Sequence, residues 1–146
     1  MSLSILTEKN ITMRAKAASR EEAIREAGDV LVQNGYVEPA YVEKMLERER
    51  VTTTYMGNLL AIPHGTEDAK ANIKASGISV LLFEQPVDWD GHDVRLVIGI
   101  AGKGNEHLDV LSKIAILCSK EENVRKLLQI QSADEVLRFF SEGNAT

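Results

Sequence analysis

Apolar residues recur at helical spacing through Ala23, Ala27, Val30 and Leu31, and the preceding Ser19-Arg20-Glu21-Glu22 has the form of a capping box. Gly35 supplies a stop. Pro39 opens a second helix in which Val42, Met45 and Leu46 make the apolar stripe, and the pattern runs out near Arg48 to Arg50. The following Val51-Thr52-Thr53-Thr54-Tyr55-Met56-Gly57 is β-branched and poor for helix. Leu59-Leu60-Ala61-Ile62 reads as a short buried strand stopped by Pro63-His64-Gly65. Two unbroken apolar runs, Ile78-Ser79-Val80-Leu81-Leu82-Phe83 and Leu96-Val97-Ile98-Gly99-Ile100-Ala101, have the pattern of strands covered on both faces. A glycine-bearing turn then leads into a helix over 106–119, and two shorter helices follow. The last opens with Ser132-Ala133-Asp134-Glu135 and turns Val136, Leu137, Phe139 and Phe140 inward. Helices alternating with buried strands predict an α/β fold: a single layered domain over 1–146, with a mixed β-sheet and helices on both faces.

Composition sharpens that picture. At 146 residues, with an apolar fraction of 44%, the chain can bury a core without a disulfide or metal staple. Aromatics are only 5%, so the core is expected to be aliphatic. The 17 basic and 22 acidic side chains leave a net charge of −5, which opposes attraction to nucleic acid or anionic lipid. Residues 1–10 lack the basic and apolar regions of a signal peptide, and no apolar run approaches the ~18 residues that span a bilayer. The expected location is the cytoplasm, with no direct membrane insertion. The one cysteine, Cys118, lies in the apolar run Ile114-Ala115-Ile116-Leu117-Cys118 and reads as a small buried hydrophobe rather than a reactive thiol.

The candidate chemistry rests on three histidines. His92 sits in Asp88-Trp89-Asp90-Gly91-His92-Asp93, a polar turn between strands, and is expected to be an exposed loop residue without a role. His64 ends a buried strand, where open α/β sheets bind ligands. Pro63 restricts the backbone and Gly65 leaves space beside the ring, so the imidazole can be rigid and approachable. A core histidine bonded to a backbone carbonyl fits the same position. His107 stands in the first turn of the helix after Gly102-Lys103-Gly104-Asn105, where free N–H groups and the helix dipole suit an anion. That turn matches no phosphate-binding fingerprint, and glycines there have steric explanations too. Neither an H-x-x-x-H or C-x-x-C metal spacing nor a G-x-S-x-G elbow is present, so no cofactor or metal is expected.

Tyr55-Met56-Gly57-Asn58-Leu59-Leu60-Ala61-Ile62-Pro63-His64-Gly65-Thr66 resembles a known family, the IIA components of the mannitol/fructose class of the bacterial phosphoenolpyruvate-dependent sugar phosphotransferase system. The A-I-P-H-G-T block is similar to that family's phosphorylation motif. A second block, from Leu96 through Asn105-Glu106-His107-Leu108-Asp109-Val110-Leu111, resembles it as well, and the likeness runs from Leu6 to the final helix.

The resemblance implies that His64 accepts a phosphoryl group, on Nε2, from the phosphohistidine of HPr. His64 then passes the group to a cysteine of a IIB domain, which serves a membrane-embedded IIC domain. It implies that His107 supports His64 by hydrogen bonding and that Arg48 stabilises the phosphoryl charge. Arg48 also suits the plain role of a cation at a helix end, and Arg50 is its neighbouring alternative. Thr54, Asn58 and Thr66 could bond a phosphoryl group, but turn structure explains them equally well. Two proteins must reach His64 in turn, so a shallow depression with an apolar rim is expected, formed by Met56 and Leu59 or Leu60. The Arg48 segment and the second block favour mannitol over fructose. A regulatory relative of nitrogen type, signalling through its phosphorylation state, is the alternative of a different class. Phosphoryl transfer to a mannitol IIB separates the two.

Overall fold

The structure is a computed structural model that describes residues 6–103 and 106–143; for 106–108, 110–111 and 141–143 it describes the backbone alone. Its elements are β1 (Ile11–Ala15), α1 (Arg20–Gln33), α2 (Ala40–Val51), β2 (Tyr55–Gly57), β3 (Leu60–Ala61), β4 (Gly77–Trp89), β5 (His92–Ala101), α3 (Glu106–Cys118), α4 (Glu121–Gln129) and α5 (Ala133–Gly143). The five strands form one sheet in the order β1-β4-β5-β3-β2. β1 runs parallel to β4 and β3 parallel to β5, whereas the β4–β5 and β2–β3 pairs are antiparallel. The α/β class and the mixed sheet are as expected.

Side-chain alternation along the central strands divides the interior in two. Leu81, Phe83, Val97 and Ala101 pack with Ala23, Ile24, Ala27 and Leu31 of α1 and Tyr41, Met45 and Leu46 of α2. Ile78, Val80, Leu82, Leu96, Ile98 and Ile100 pack on the other side with Ile114, Val124, Leu127, Val136 and Phe140 of α3, α4 and α5. Unbroken apolar runs are thus explained by helices on both faces. Cys118 is buried in the second cluster, and burial pushes its thiol up to about 12.

Local signals determine most helix ends. The Ser19 side chain accepts from the Glu22 N–H at 3.2 Å, while the Glu22 carboxylate reaches back to the N–H of Ala18 at 3.0 Å, one residue before the cap. α1 ends in a Schellman motif: Gly35, at φ +82°, bonds to Val32 and the next N–H, of Tyr36, bonds to Leu31. Ser132 accepts from the Glu135 N–H at the start of α5.

Three features differ from the sequence reading. β1 carries no clear pattern because its five residues mix polar and apolar positions and include Arg14 at φ +53°. β4 and β5 extend into a long hairpin closed by Asp90 (φ +58°) and Gly91 (φ +92°), a two-residue turn of the kind an Asp-Gly pair favours. His92 is therefore not a loop residue. It pairs with Trp89 at the start of β5, exposed on one side and stacked on the Tyr55 ring at 4.3 Å. Finally, β3 spans two residues only, because Gly57, Asn58 and Leu59 all take positive φ and use up the chain in a sharp reversal.

Gly99 lets α1 approach the sheet closely. A Cβ there would lie 2.6 Å from the Ser79 hydroxyl, which donates to the Ala27 carbonyl at 2.8 Å, and 3.1 Å from the Ala27 Cβ. Gly99→Ala is expected to cost about 1–3 kcal/mol, through overpacking and the displaced hydrogen bond. Urea unfolding checks it, and an unchanged midpoint would mean that α1 can retreat freely.

Candidate functional site

β3 and β5 run parallel, so their carboxyl ends share one edge of the sheet. The Ile100 N–H bonds to the Pro63 carbonyl at 3.0 Å, and His64 makes an isolated bridge with Ile100. α3 begins five residues after β5 ends, which brings the first turn of that helix, His107 included, back to the same edge. The His107 side chain lies outside the described residues.

The His64 ring is half-buried, and its Nδ1 lies 3.0 Å from the Ile62 carbonyl oxygen. A carbonyl can only accept, so Nδ1 carries the proton and Nε2 the lone pair. Burial holds the imidazole below its ordinary 6.5. The Ile62 carbonyl pulls it upward, Arg48 pushes it down, and Glu49 and Glu67 pull it up, with burial prevailing.

Two depressions adjoin the ring, and Arg48 and His64 line both. One, of about 270 Å³, also takes in Tyr41, Val51, Thr66 and Lys70. The other, of about 440 Å³, takes in Thr53, Thr54, Met56, Ile62, Ser112 and Ala115. Met56 therefore belongs to the rim as expected, at 50% exposure, joined by Val51 at 75%. Leu60 does not, since it is buried, and Leu59 packs into the second core instead.

Arg48 and Arg50 are separated clearly. Arg48 donates from Nη1 to the Thr52 carbonyl at 2.7 Å, closing the end of α2, and its positive charge is felt at His64. Arg50 is exposed, and its charge is felt at Glu21. Of the hydroxyl and amide candidates, Thr66 bonds to Asp68 and Thr54 to Glu49. Asn58 donates to the carbonyls of Cys118 and Ser119, pinning the β2–β3 reversal to the end of α3. Thr66 and Asn58 are accounted for by turn and cap structure, and Thr54 by its bonds to the buried Glu49 carboxylate. Among the described residues, no cluster of three or more His, Cys, Asp or Glu side chains is placed to hold a metal ion.

The structure adds Tyr41 to the site. Its buried hydroxyl donates to the Ile100 carbonyl at 2.8 Å and accepts the Gly65 N–H at 2.9 Å, so it fixes both sides of the His64 bridge. Burial pushes the phenol up to about 12, which keeps it a neutral donor. Gly65 is needed here less for space beside the imidazole than for Tyr41: a Cβ on it would stand 2.5 Å from the phenol ring. The sequence signal was faint, a single aromatic residue in the first turn of α2.

Residues 4–143 match the family described as phosphoenolpyruvate-dependent sugar phosphotransferase system, EIIA 2. A mannitol-specific phosphotransferase enzyme IIA component of Halalkalibacterium halodurans is 63% identical over 144 residues, 99% of each chain. One of Geobacillus stearothermophilus is 54% identical over 145 residues, 99% of this chain and all of the other. Among solved structures, the complex of enzyme IIAMTL and phosphorylated enzyme IIBMTL from Escherichia coli contains a chain that superposes with a TM-score of 0.87 at 40% identity, covering 94% of this chain and 97% of that one.

Two outcomes are expected from this geometry. Followed by NMR of its ring protons, His64 titrates below 6.5; a midpoint above that value would contradict the dominance of burial. Tyr41→Phe strands the Gly65 N–H and the Ile100 carbonyl and is expected to lower unfolding free energy by about 1–3 kcal/mol, measured by chemical denaturation.

Proposed function

The chain belongs to the EIIA 2 family of the phosphoenolpyruvate-dependent sugar phosphotransferase system, and from that premise we propose that it is the phosphoryl carrier for mannitol, with His64 as the carrying residue. The observation that carries the assignment to His64 is its hydrogen bond to the Ile62 carbonyl, which leaves the lone pair on Nε2 in a ring kept neutral near pH 7. Mannitol is favoured over fructose by relatives of 63% and 54% identity that are named mannitol-specific. The same relatives weigh against a nitrogen-type regulator.

In this reading Nε2 of His64 attacks the phosphorus of phospho-HPr. The Nε2–P bond forms as the donor N–P bond breaks, and the donor ring, protonated on its other nitrogen, leaves as neutral imidazole. His64 keeps its Nδ1 proton against the Ile62 carbonyl, and the positive charge that develops on its ring is offset by the phosphoryl oxygens. A IIB cysteine thiolate then attacks the same phosphorus, and His64 departs as neutral imidazole. Positioning and charge do most of this work. Arg48 is assigned the phosphoryl oxygens, for which its planar fork is suited. His107 is assigned a supporting hydrogen bond, for which the start of α3 at the shared sheet edge speaks.

The exposed Met56 and Val51 beside His64 suit brief encounters with two partners in succession, HPr and IIB. No described helix is long and apolar enough to cross a membrane. Residues 1–146 act as one IIA domain in this reading, in the cytoplasm, beside a separate membrane permease.

Incubation with phosphoenolpyruvate, enzyme I and HPr, read by intact mass, tests the proposal. The native chain is expected to gain one acid-labile phosphoryl group, absent in His64→Ala and shorter-lived in His107→Ala. Arg48→Lys is expected to slow phosphorylation by about tenfold to a hundredfold, the worth of one charge-assisted bond. A native chain that gains no adduct would sink the carrier assignment.

A further inference from the structure

Among the described residues, Glu49 is the only charged side chain that is buried, at 5% exposure. It continues the inward stripe of Val42, Met45 and Leu46, where an apolar residue would sit without the cost of desolvating a carboxylate. All its recorded partners donate to it: the Trp89 indole N–H at 3.0 Å, the Thr54 N–H at 3.1 Å and the Thr54 hydroxyl at 2.5 Å. Such a set suits an ionised carboxylate, and the short hydroxyl contact is typical of a charge-assisted bond.

The bonds continue toward the candidate site. The Thr54 carbonyl accepts the Ile62 N–H at 3.1 Å, and the Ile62 carbonyl takes Nδ1 of His64 at 3.0 Å. Trp89 is itself fully buried near the tip of the β4–β5 hairpin, so the carboxylate ties that hairpin, the end of α2 and the His64 segment together. The negative charge also acts on the imidazole directly, opposing the adjacent Arg48, with Glu67 as the other anion felt there.

We propose that Glu49 is a positioning residue for phosphoryl transfer: it fixes the segment that carries His64 and supplies a buried negative charge that keeps the phosphoryl group easy to give away. The inference rests on His64 being the carrier. A phosphoryl group on His64 is anionic, so a fixed anion nearby raises the free energy of the phosphorylated form, while Arg48 lowers it. A carrier that must accept and then surrender the same group cannot hold it too tightly. Glu49 makes and breaks no bond in either step. Its effect is on the equilibrium and on the placement of Nε2.

The test measures, for purified chain and HPr, the equilibrium ratio of phosphorylated chain to phospho-HPr together with the forward and reverse rates. Glu49→Gln removes the charge; its one carbonyl oxygen can still accept the Trp89 N–H, while its amide NH2 meets the Thr54 hydroxyl, which can turn to accept. Its ratio is expected to shift about tenfold toward the phosphorylated chain, with slower delivery to IIB, as the loss of one nearby charge in a partly buried setting implies. An unchanged ratio in folded Glu49→Gln overturns the proposal. Trp89→Phe keeps the charge but loosens the carboxylate, so both rates are expected to fall severalfold with the ratio unmoved. A ratio that moves as far in Trp89→Phe as in Glu49→Gln would assign the effect to packing and overturn the electrostatic role. Should Glu49→Gln fail to fold, unaltered rates in Trp89→Phe are sufficient to reject the positioning role. The native chain and His64→Ala run alongside: no adduct on the native chain removes the carrier reading itself, whereas a native adduct with unmoved variants removes only the role of Glu49.

Discussion

The segment from Thr52 to Gly65 is held by a short strand ladder, by single backbone bonds to its neighbours and by side-chain tethers. β3 contributes two residues, and the reversal before it spends three consecutive positions at positive φ, one of them Leu59. Leucine in that region costs energy that the surroundings must supply. They do so through Asn58, which bonds to the end of α3, and through the Leu59 carbonyl, which accepts the N–H groups of Arg95 and Leu96. Thr54 is bound by Glu49 at one end of the segment and Gly65 by Tyr41 at the other. His64 owes its orientation to this set of tethers, which reach into α2, α3 and β5.

That arrangement suits group transfer between proteins. A histidine sunk in the core could not meet two macromolecular partners, and one on a loose loop would not hold a reactive nitrogen in line with phosphorus. Placing it three residues beyond the end of a buried strand gives a half-buried ring with a fixed Nδ1 bond, beside depressions that open to solvent. The two cores contribute unequally. The α1–α2 side supplies Tyr41, Arg48 and Glu49, while α3 closes the edge from the other face with Ser112 and Ala115. Site and sheet are therefore not separable, since Tyr41 bridges Gly65 beside His64 to β5 at Ile100.

Charge in this region is balanced rather than simply positive. Arg48 lies at the end of α2, where a cation is favoured by the helix dipole, and beside it in the chain stands a carboxylate taken out of water. Burial lowers the proton affinity of His64 and the carboxylates restore part of it. A purely cationic pocket would favour the phosphorylated state without limit, which is suited to an anion receptor and not to a relay.

Periodicity and capping residues by themselves determined α1, α2, α5 and the two central strands, because those elements follow from local spacing and from which faces must be covered. The resemblance of the A-I-P-H-G-T block to a phosphorylation motif marked His64 as the candidate, where the residues alone left a core histidine open. Glu49 gave no such signal, because it falls where the apolar stripe of α2 runs out near Arg48 to Arg50. Tertiary structure alone decided the rest. β1 has too few residues to show a period, and the parallel pairing of β3 with β5 depends on contacts between positions 36 residues apart, Leu60 with Leu96 and Ala61 with Val97. Arg48 and Arg50 are equivalent as letters, but two steps along a helix turn them by roughly 200°, so that one lines the His64 depressions and the other points elsewhere. Tyr41 reads as one more apolar position until the fold sets its hydroxyl between two backbone groups distant in the chain. Such roles depend on three-dimensional meeting points, which no local pattern encodes.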